Sequence, residues 1–171
     1  AFGGVNSINF GPDSVGVNPV EISPYVIERL SKEFTLVFTG TSRSASEVLS
    51  ETPDDPADKL ARLRIIRGQA DTVRDMLESG DLDGLGSLIG EAWDSKRGIS
   101  SGISNEEIDA LHSRIMDMGA TGAKLLGAGG GGFFLVHGGG DLRDRLAELG
   151  PKHRLIPIGV DEKGSVIINE G

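Results

Sequence analysis

Apolar and polar residues follow a strand-like pattern at the start of the chain. The segments GGVNSINF and SVGVNPVEI alternate as strands do, and the turn at residues 11–13 joins them. Pro24 suits the first turn of a short helix, Tyr25 to Glu33, with Ser23 as its N-cap. FTLVFTG then has the unbroken apolar run of a buried strand, Phe34 to Thr39. This part of the sequence predicts two paired strands, a helix and a core strand.

The middle of the chain changes to a helical period. TSRSASEVLSE predicts a loop and a short helix, and TPDDPAD, with two prolines and three acids, predicts a linker. Amphipathic helices are predicted over Asp58 to Ser79, over Leu82 to Lys96, and after the capping-box motif SNEE, in which Ser104 is the expected N-cap. The apolar face of the first helix is expected to point inward: Leu60, Leu63, Ile66, Ala70, Val73 and Leu77.

The last part of the chain returns to strands. GAKLLGA, GFFLVH, RLIPIGV and GSVIIN predict four strands, and Asp141 to Leu149 predicts a helix before the third of them. Strands and helices in this order predict an α+β fold, in which an antiparallel sheet carries helices packed on one face.

Four consecutive glycines, Gly129 to Gly132, separate two of these strands. Glycine inside a regular element costs about 0.5–1 kcal/mol relative to alanine, so the run indicates that the backbone itself is needed there. Residues 127–132 match G-x-G-x-x-G, but a strand-like run follows where a dinucleotide motif requires a helix. The P-loop pattern fails as well, because Lys124 precedes the glycines. Two explanations remain: a nest of N–H groups that binds an anion, or a wide turn that needs the dihedral angles of glycine.

Composition excludes several classes of function. The 171 residues carry a net charge of −9, which argues against nucleic-acid and anionic-membrane partners. There is no cysteine for a thiolate site, and the three histidines are scattered. No apolar run approaches the ~20 residues that span a bilayer, and no signal peptide is recognisable. We therefore expect a cytoplasmic protein with no membrane and no nucleic-acid partner, although a local backbone site for an anion remains compatible.

The glycine segment GATGAKLLGAGGGGFFLV resembles the C-terminal motif of the GHMP kinases, the superfamily of galactokinase and of homoserine, mevalonate and phosphomevalonate kinases. FGGVNSINF, VFTGTSRSA and EAWDSKRGISSGIS occur in the order found in the D-glycero-D-manno-heptose 7-phosphate kinase branch. The resemblance runs from Phe2 to about Val160. It implies a ferredoxin-like GHMP kinase C-terminal domain with a helical insertion.

The same resemblance implies a domain plan. All of 1–171 would be this C-terminal domain: 1–22 as a strand pair continuing from a preceding domain, 23–52 and 119–171 as the α+β core, and 56–118 as a three-helix segment. Family members carry a first glycine-rich loop for ATP, a magnesium-binding serine and a catalytic aspartate in their N-terminal half. We expect that aspartate to lie before residue 1, and ATP and Mg²⁺ to be held mainly by that half. An N-terminal domain or a homodimer partner is therefore expected beside the substrates.

By resemblance, the activity is transfer of the ATP γ-phosphate to a sugar hydroxyl, with a heptose 7-phosphate-like acceptor favoured. Lys96 and Arg97 would meet the sugar phosphate, the alternative being a solvated helix end. Arg43 would hold an anion, the alternative being a surface loop. Lys124 is expected to pair with an acid across the sheet. The residues expected near the transferred phosphates form the glycine loop: Gly127, Ala128, Gly129, Gly130, Gly131 and Gly132.

A second function from a different class fits the same sequence. The chain would be a non-catalytic binding or interaction module, or a subunit that needs a separate N-terminal chain. An apolar surface around FGGVNSINF would favour that interpretation.

Overall fold

Two separate antiparallel sheets organise the computed structural model, which describes residues 2–42 and 56–167. The smaller sheet is a hairpin of β1 (Asn6–Phe10) and β2 (Val15–Pro19). The larger sheet has four strands: β3 (Phe34–Phe38), β4 (Gly122–Leu125), β5 (Phe133–His137) and β6 (Leu155–Pro157). Their order is β4-β5-β3-β6, and every neighbouring pair is antiparallel.

The helices connect these strands in a ferredoxin-like way. They are α1 (Pro24–Glu33), α2 (Pro56–Ser79), α3 (Leu82–Arg97), α4 (Glu106–Asp117) and α5 (Leu142–Ala147). A βαββαβ unit with this strand order places one helix after its first strand and one before its last. Here α2, α3 and α4 occupy the first of these positions and α5 the second. The predicted α+β fold with an antiparallel sheet and packed helices is confirmed.

The main core lies between one face of the sheet and helices α3, α4 and α5. Val37 and Phe134 are cross-strand partners on β3 and β5, so their side chains share that face. Trp93 of α3 is fully buried there, edge-on to the ring of Phe134. Ile115 of α4 and Leu146 of α5 complete the same cluster. Burial of this set fixes the C-terminal end of α3 against the sheet.

A second cluster joins α1 to the turn between α2 and α3. Leu30 packs with Leu77 and Leu82 in this cluster. At its edge the guanidinium of Arg29 donates to the Glu33 carboxylate, and the Nε2 of His137 lies 3.5 Å from the same carboxylate. His137 is fully buried, and its neighbour Glu33 was not apparent from the sequence.

Several boundaries differ from the sequence-based predictions. Ser23 caps α1 as predicted, its side chain accepting from the N–H of Val26. At α4, however, Asn105 is the N-cap, while the Ser104 hydroxyl donates to Asp109. The predicted strand RLIPIGV shrinks to β6, and no strand is present in the described part of GSVIIN, residues 164–167.

The apolar face of α2 is only partly covered. Leu77 is its one buried residue within the described chain, whereas Leu60 and Leu63 remain exposed. The prediction that the whole stripe points into a core is therefore wrong for its first turns. No helix within residues 2–42 and 56–167 is long and apolar enough to cross a membrane.

Candidate functional site

The glycine loop connects β4 to β5 at the edge of the four-stranded sheet. Its five glycines all have left-handed backbone angles, whereas Ala128 does not. Side chains with a Cβ rarely adopt such angles, so the shape of the loop requires glycine whatever it binds. The φ values are 73° at Gly127, 120° at Gly129, 72° at Gly130, 155° at Gly131 and 108° at Gly132.

Two backbone segments press against the glycine loop. A Cβ added to Gly129 would lie 2.7 Å from the Cα of Ile103, in the connection between α3 and α4. A Cβ added to Gly131 would lie 2.8 Å from the carbonyl oxygen of Thr41, just after β3. The N–H of Gly130 donates to the Ile103 carbonyl at 3.0 Å. These contacts account for two glycines by close packing within the protein, which supports the wide-turn explanation.

A buried threonine holds the far end of the loop. The N–H of Gly132 is 3.0 Å from the hydroxyl oxygen of Thr39 and 2.9 Å from the Thr41 carbonyl. In return, the N–H of Thr39 donates to the Gly132 carbonyl at 2.9 Å. The sequence analysis missed Thr39 as a site residue. Its signal was a threonine that ends the apolar run of FTLVFTG.

The loop keeps several donors for another molecule. The N–H groups of Gly127, Ala128, Gly129 and Gly131 have no acceptor among the described residues. Unpaired backbone N–H groups in a run of glycines are the donors from which anion nests are built. The two explanations for the glycines are therefore compatible, because the packing contacts leave four amides free to donate.

Lys96 contacts the first residue of the loop. Its ammonium donates to the carbonyl of Leu125 at 2.8 Å and to that of Gly127 at 2.6 Å. Burial, and to a lesser degree the nearby charge of Lys124, lowers the pKa of Lys96 to about 8. The structure thus brings Lys96 together with the glycine loop, as a residue that holds the loop backbone.

The other predicted cations are placed differently. Arg97 is half-exposed and pairs with Asp94 at 3.1 Å and with Asp109 at 4.0 Å, as a solvated helix end does. Arg43 lies outside the described residues. Lys124 was expected to pair with an acid, yet no carboxylate in residues 2–42 or 56–167 is recorded within 4.0 Å of it, so that expectation is wrong. Burial lowers the pKa of Lys124.

Comparison with known proteins identifies this loop and its surroundings. Residues 73–151 match the family model described as GHMP kinases C terminal. Residues 73–151 form a GHMP kinase C-terminal domain. The matched range of this GHMP domain includes the glycine loop, Lys96 and Lys124, while Thr39 and the β1–β2 hairpin lie before it.

Curated relatives of the GHMP domain are sugar kinases. The D-glycero-alpha-D-manno-heptose 7-phosphate kinase of Campylobacter jejuni is 31% identical over 135 residues, which cover 77% of this chain and 40% of that protein. The bifunctional fucokinase/GDP-fucose pyrophosphorylase of Arabidopsis thaliana is 30% identical over 146 residues, covering 80% of this chain and 14% of that protein. The chain thus spans well under half the length of either relative.

Solved structures share the fold. A Campylobacter jejuni protein classed as a sugar kinase superposes with a TM-score of 0.69 and 26% identity, over 95% of this chain and 47% of that one. A D-glycero-D-manno-heptose 1-phosphate kinase from Bacteroides thetaiotaomicron superposes with a TM-score of 0.68 and 21% identity, over 99% and 47%. Each match therefore covers about half of the larger protein.

Proposed function

We propose that this chain is the C-terminal portion of an ATP-dependent sugar or sugar-phosphate kinase of the GHMP type. The reaction is transfer of the ATP γ-phosphate to a sugar hydroxyl, with an acceptor like heptose 7-phosphate favoured by the relative of that name. The observation that carries the proposal is the glycine loop, a rigidly held turn that keeps four N–H groups without an acceptor among the described residues.

The chain's contribution to catalysis is positioning and charge stabilisation. Phosphoryl transfer demands little covalent chemistry from the protein, and donors fixed before the reaction stabilise the charge that develops on the phosphate oxygens. The free amides of the glycine loop would donate to those oxygens. Lys96 holds the start of the loop through its two carbonyl contacts. Its positive charge therefore lies at the carbonyl of Gly127, next to the N–H of Ala128.

The two implied cofactors fit this chain unequally. The phosphates of ATP suit the donor set of the glycine loop. Among residues 2–42 and 56–167, no group of three His, Asp or Glu side chains is arranged to hold a metal ion. We therefore derive no step through Mg²⁺ from these residues, and the proposal assigns Mg²⁺ and most of the nucleotide contacts to an N-terminal half.

The test of the activity uses the native polypeptide from its source cells. Its intact mass is measured first, because the curated kinase relatives are longer than this chain. A panel of sugar phosphates, including heptose 7-phosphate, is then incubated with ATP and Mg²⁺, and the phosphorylated products are identified by mass spectrometry. We expect transfer to a sugar hydroxyl. ATP consumption without any phosphorylated sugar, or no consumption at all, would contradict the proposal.

A matched pair of glycine variants tests the role of the loop in that assay. Gly127 and Gly140 both have left-handed angles, 73° and 64°, and a Cβ at either meets no atom within 4 Å. Gly127→Ala and Gly140→Ala should therefore cost similar stability, about 1 kcal/mol. Only Gly127→Ala should lower phosphoryl transfer, because its methyl group stands beside the free amides. Equal activity of the two variants would show that the loop takes no part in phosphoryl transfer.

One observation favours the second candidate, an interaction module. The face around FGGVNSINF exposes large apolar side chains, with Phe2 at 68% and Phe10 at 81% exposure. Exposed apolar patches mark contact surfaces. Sedimentation equilibrium of the chain and of a Phe10→Ser variant distinguishes the candidates. Self-association that Phe10→Ser abolishes supports the interaction module. A monomer that transfers phosphate excludes a purely non-catalytic role.

A further inference from the structure

A cavity of about 1000 Å³ has none of the glycine-loop residues 127–132 in its lining. Its walls come from the β1–β2 hairpin, from α2 and from α3, and Lys124 of β4 contributes its cationic side chain. Small-molecule sites occupy about 300–1000 Å³, so the cavity is large enough for a sugar phosphate. Its lining mixes apolar side chains, including Val73, Leu88 and Ile89, with a comparable number of polar and charged ones.

Lys124 is the unusual member of this lining. It is half-buried, and no hydrogen bond or ion pair to another described residue is recorded for its ammonium. Lys96 stands near enough for the two positive charges to repel. A partly buried pair of like charges without a carboxylate is costly, and all the more notable in a chain of net charge −9. An anion in the cavity would remove that cost.

A second polar group in the cavity lacks a partner. The Oε1 atom of Gln69, on α2, is buried and has no hydrogen-bond donor among the described residues. An amide oxygen accepts from a hydroxyl or an N–H group but not from a phosphate dianion. The cavity therefore offers a cation to an anionic group and, after rotation of the Gln69 amide toward it, an acceptor to a hydroxyl. A phosphorylated sugar carries the matching groups.

We propose that this cavity binds the phosphorylated sugar, with its phosphate at Lys124 and one of its hydroxyls at Gln69. The inference rests on the proposed function and deepens it, because it names the residues that hold the acceptor substrate. Arg67, which also lines the cavity, adds positive charge. Asp71 is the acid of the lining, and the guanidinium of Arg74 engages its carboxylate at 3.2 Å.

The experiment is a titration of the ¹⁵N-labelled chain followed by ¹H–¹⁵N spectra. The probes are mannose 6-phosphate, mannose and inorganic phosphate, which separate the phosphate from the sugar. We expect saturable shifts at cavity residues such as Ser7, Val73 and Ile89 with mannose 6-phosphate, weaker ones with inorganic phosphate, and none with mannose. Absence of saturable shifts at these residues would overturn the inference.

Two variants assign the contacts. Lys124→Met keeps most of the length of the side chain and removes its charge, and should weaken mannose 6-phosphate binding at least tenfold. Its melting temperature should be unchanged or higher, because an unpaired buried charge is lost. Gln69→Leu should weaken mannose 6-phosphate binding but leave inorganic phosphate binding unchanged. The control is Lys152→Met, at an exposed lysine, which should bind as the parent chain does.

The outcomes separate this inference from the proposed function. Shifts confined to the glycine loop, unaffected by Lys124→Met, would overturn the cavity as a site and leave the kinase proposal standing. Shifts in the cavity that disappear in Lys124→Met, together with a native polypeptide that phosphorylates no sugar, would support a sugar-phosphate site without the kinase activity.

Discussion

The free energy of unfolding of the parent chain should rise between about pH 8 and pH 10.5. Replacing Lys96 with methionine should remove that rise. The pKa of Lys96 is lowered from 10.5 to about 8, first by burial and then by the charge of Lys124. The unfolded chain therefore binds more protons than the folded chain in this window, so the free energy of unfolding increases with pH there. Below the window both states are protonated, and folding bears the cost of the buried charge.

The size of the effect follows from the two pKa values. At about 1.36 kcal/mol for each pKa unit, the complete difference corresponds to about 3.4 kcal/mol. Lys96 is only half-buried, so solvent screens part of that energy, and we expect about 1–2 kcal/mol. The contacts with Leu125 and Gly127 can survive deprotonation, because a neutral amine still has two hydrogens to donate.

Urea unfolding between pH 7 and pH 10.5 measures this difference. Trp93 is the chain's single tryptophan and is fully buried, so its fluorescence reports the unfolding of the core. Subtracting the Lys96→Met curve from that of the parent chain cancels the titration of groups that do not interact with Lys96. Lys152→Met, at an exposed lysine, is the control and should run parallel to the parent chain. If Lys96→Met also runs parallel across the window, the lysine is solvated and does not hold the loop as described.

Other substitutions test the packing of the loop and the helix ends. Gly129→Ala should lower the free energy of unfolding by more than about 2 kcal/mol, because its Cβ would clash with backbone atoms. Gly127→Ala should lower it by only about 1 kcal/mol. Equal losses for the two variants in urea unfolding would contradict the packing described for Gly129. Gly68→Ala, in the exposed middle of α2 with open space around it, should raise the free energy of unfolding by about 0.5–1 kcal/mol, and a decrease would indicate a contact there. Asn105→Ala should cost about 1 kcal/mol in thermal denaturation and Ser104→Ala less, and the reverse order would restore Ser104 as the cap.

Local periodicity was enough to predict most helices and strands. The apolar spacing in α3 and α4 and the unbroken runs in β3 and β5 are set by residues close in sequence. The hairpin of β4 and β5 is also local. The insertion of β3 between β5 and β6 is not, because it depends on which distant surfaces bury one another, and no short pattern encodes that choice.

The sequence predicted only those features of the site that depend on the identity of the residues. Resemblance identified the glycine loop, and it identified Lys96 as a cation that meets a sugar phosphate, without its contact with the loop. The acceptor at Ile103 was invisible, because it is a backbone carbonyl that any residue at that position would provide. At α4, Ser104 and Asn105 are adjacent residues that can both cap a helix, and the pattern did not decide between them. The expectation of an acid partner for Lys124 was wrong, because the strands beside it offer no carboxylate among the described residues.

The attachment of the glycine loop limits how it can be reused in protein engineering. Its shape is imposed by Lys96 on one side, by Ile103 beneath and by Thr39 at the far end. Transplanting KLLGAGGGGFFLV into another hairpin would transfer the glycines without the braces that select one conformation, and five such residues would then sample many. A portable unit must include Thr39, Lys96 and Ile103 together with the strands and helices that position them. A designer who wants the loop must therefore take most of the domain with it.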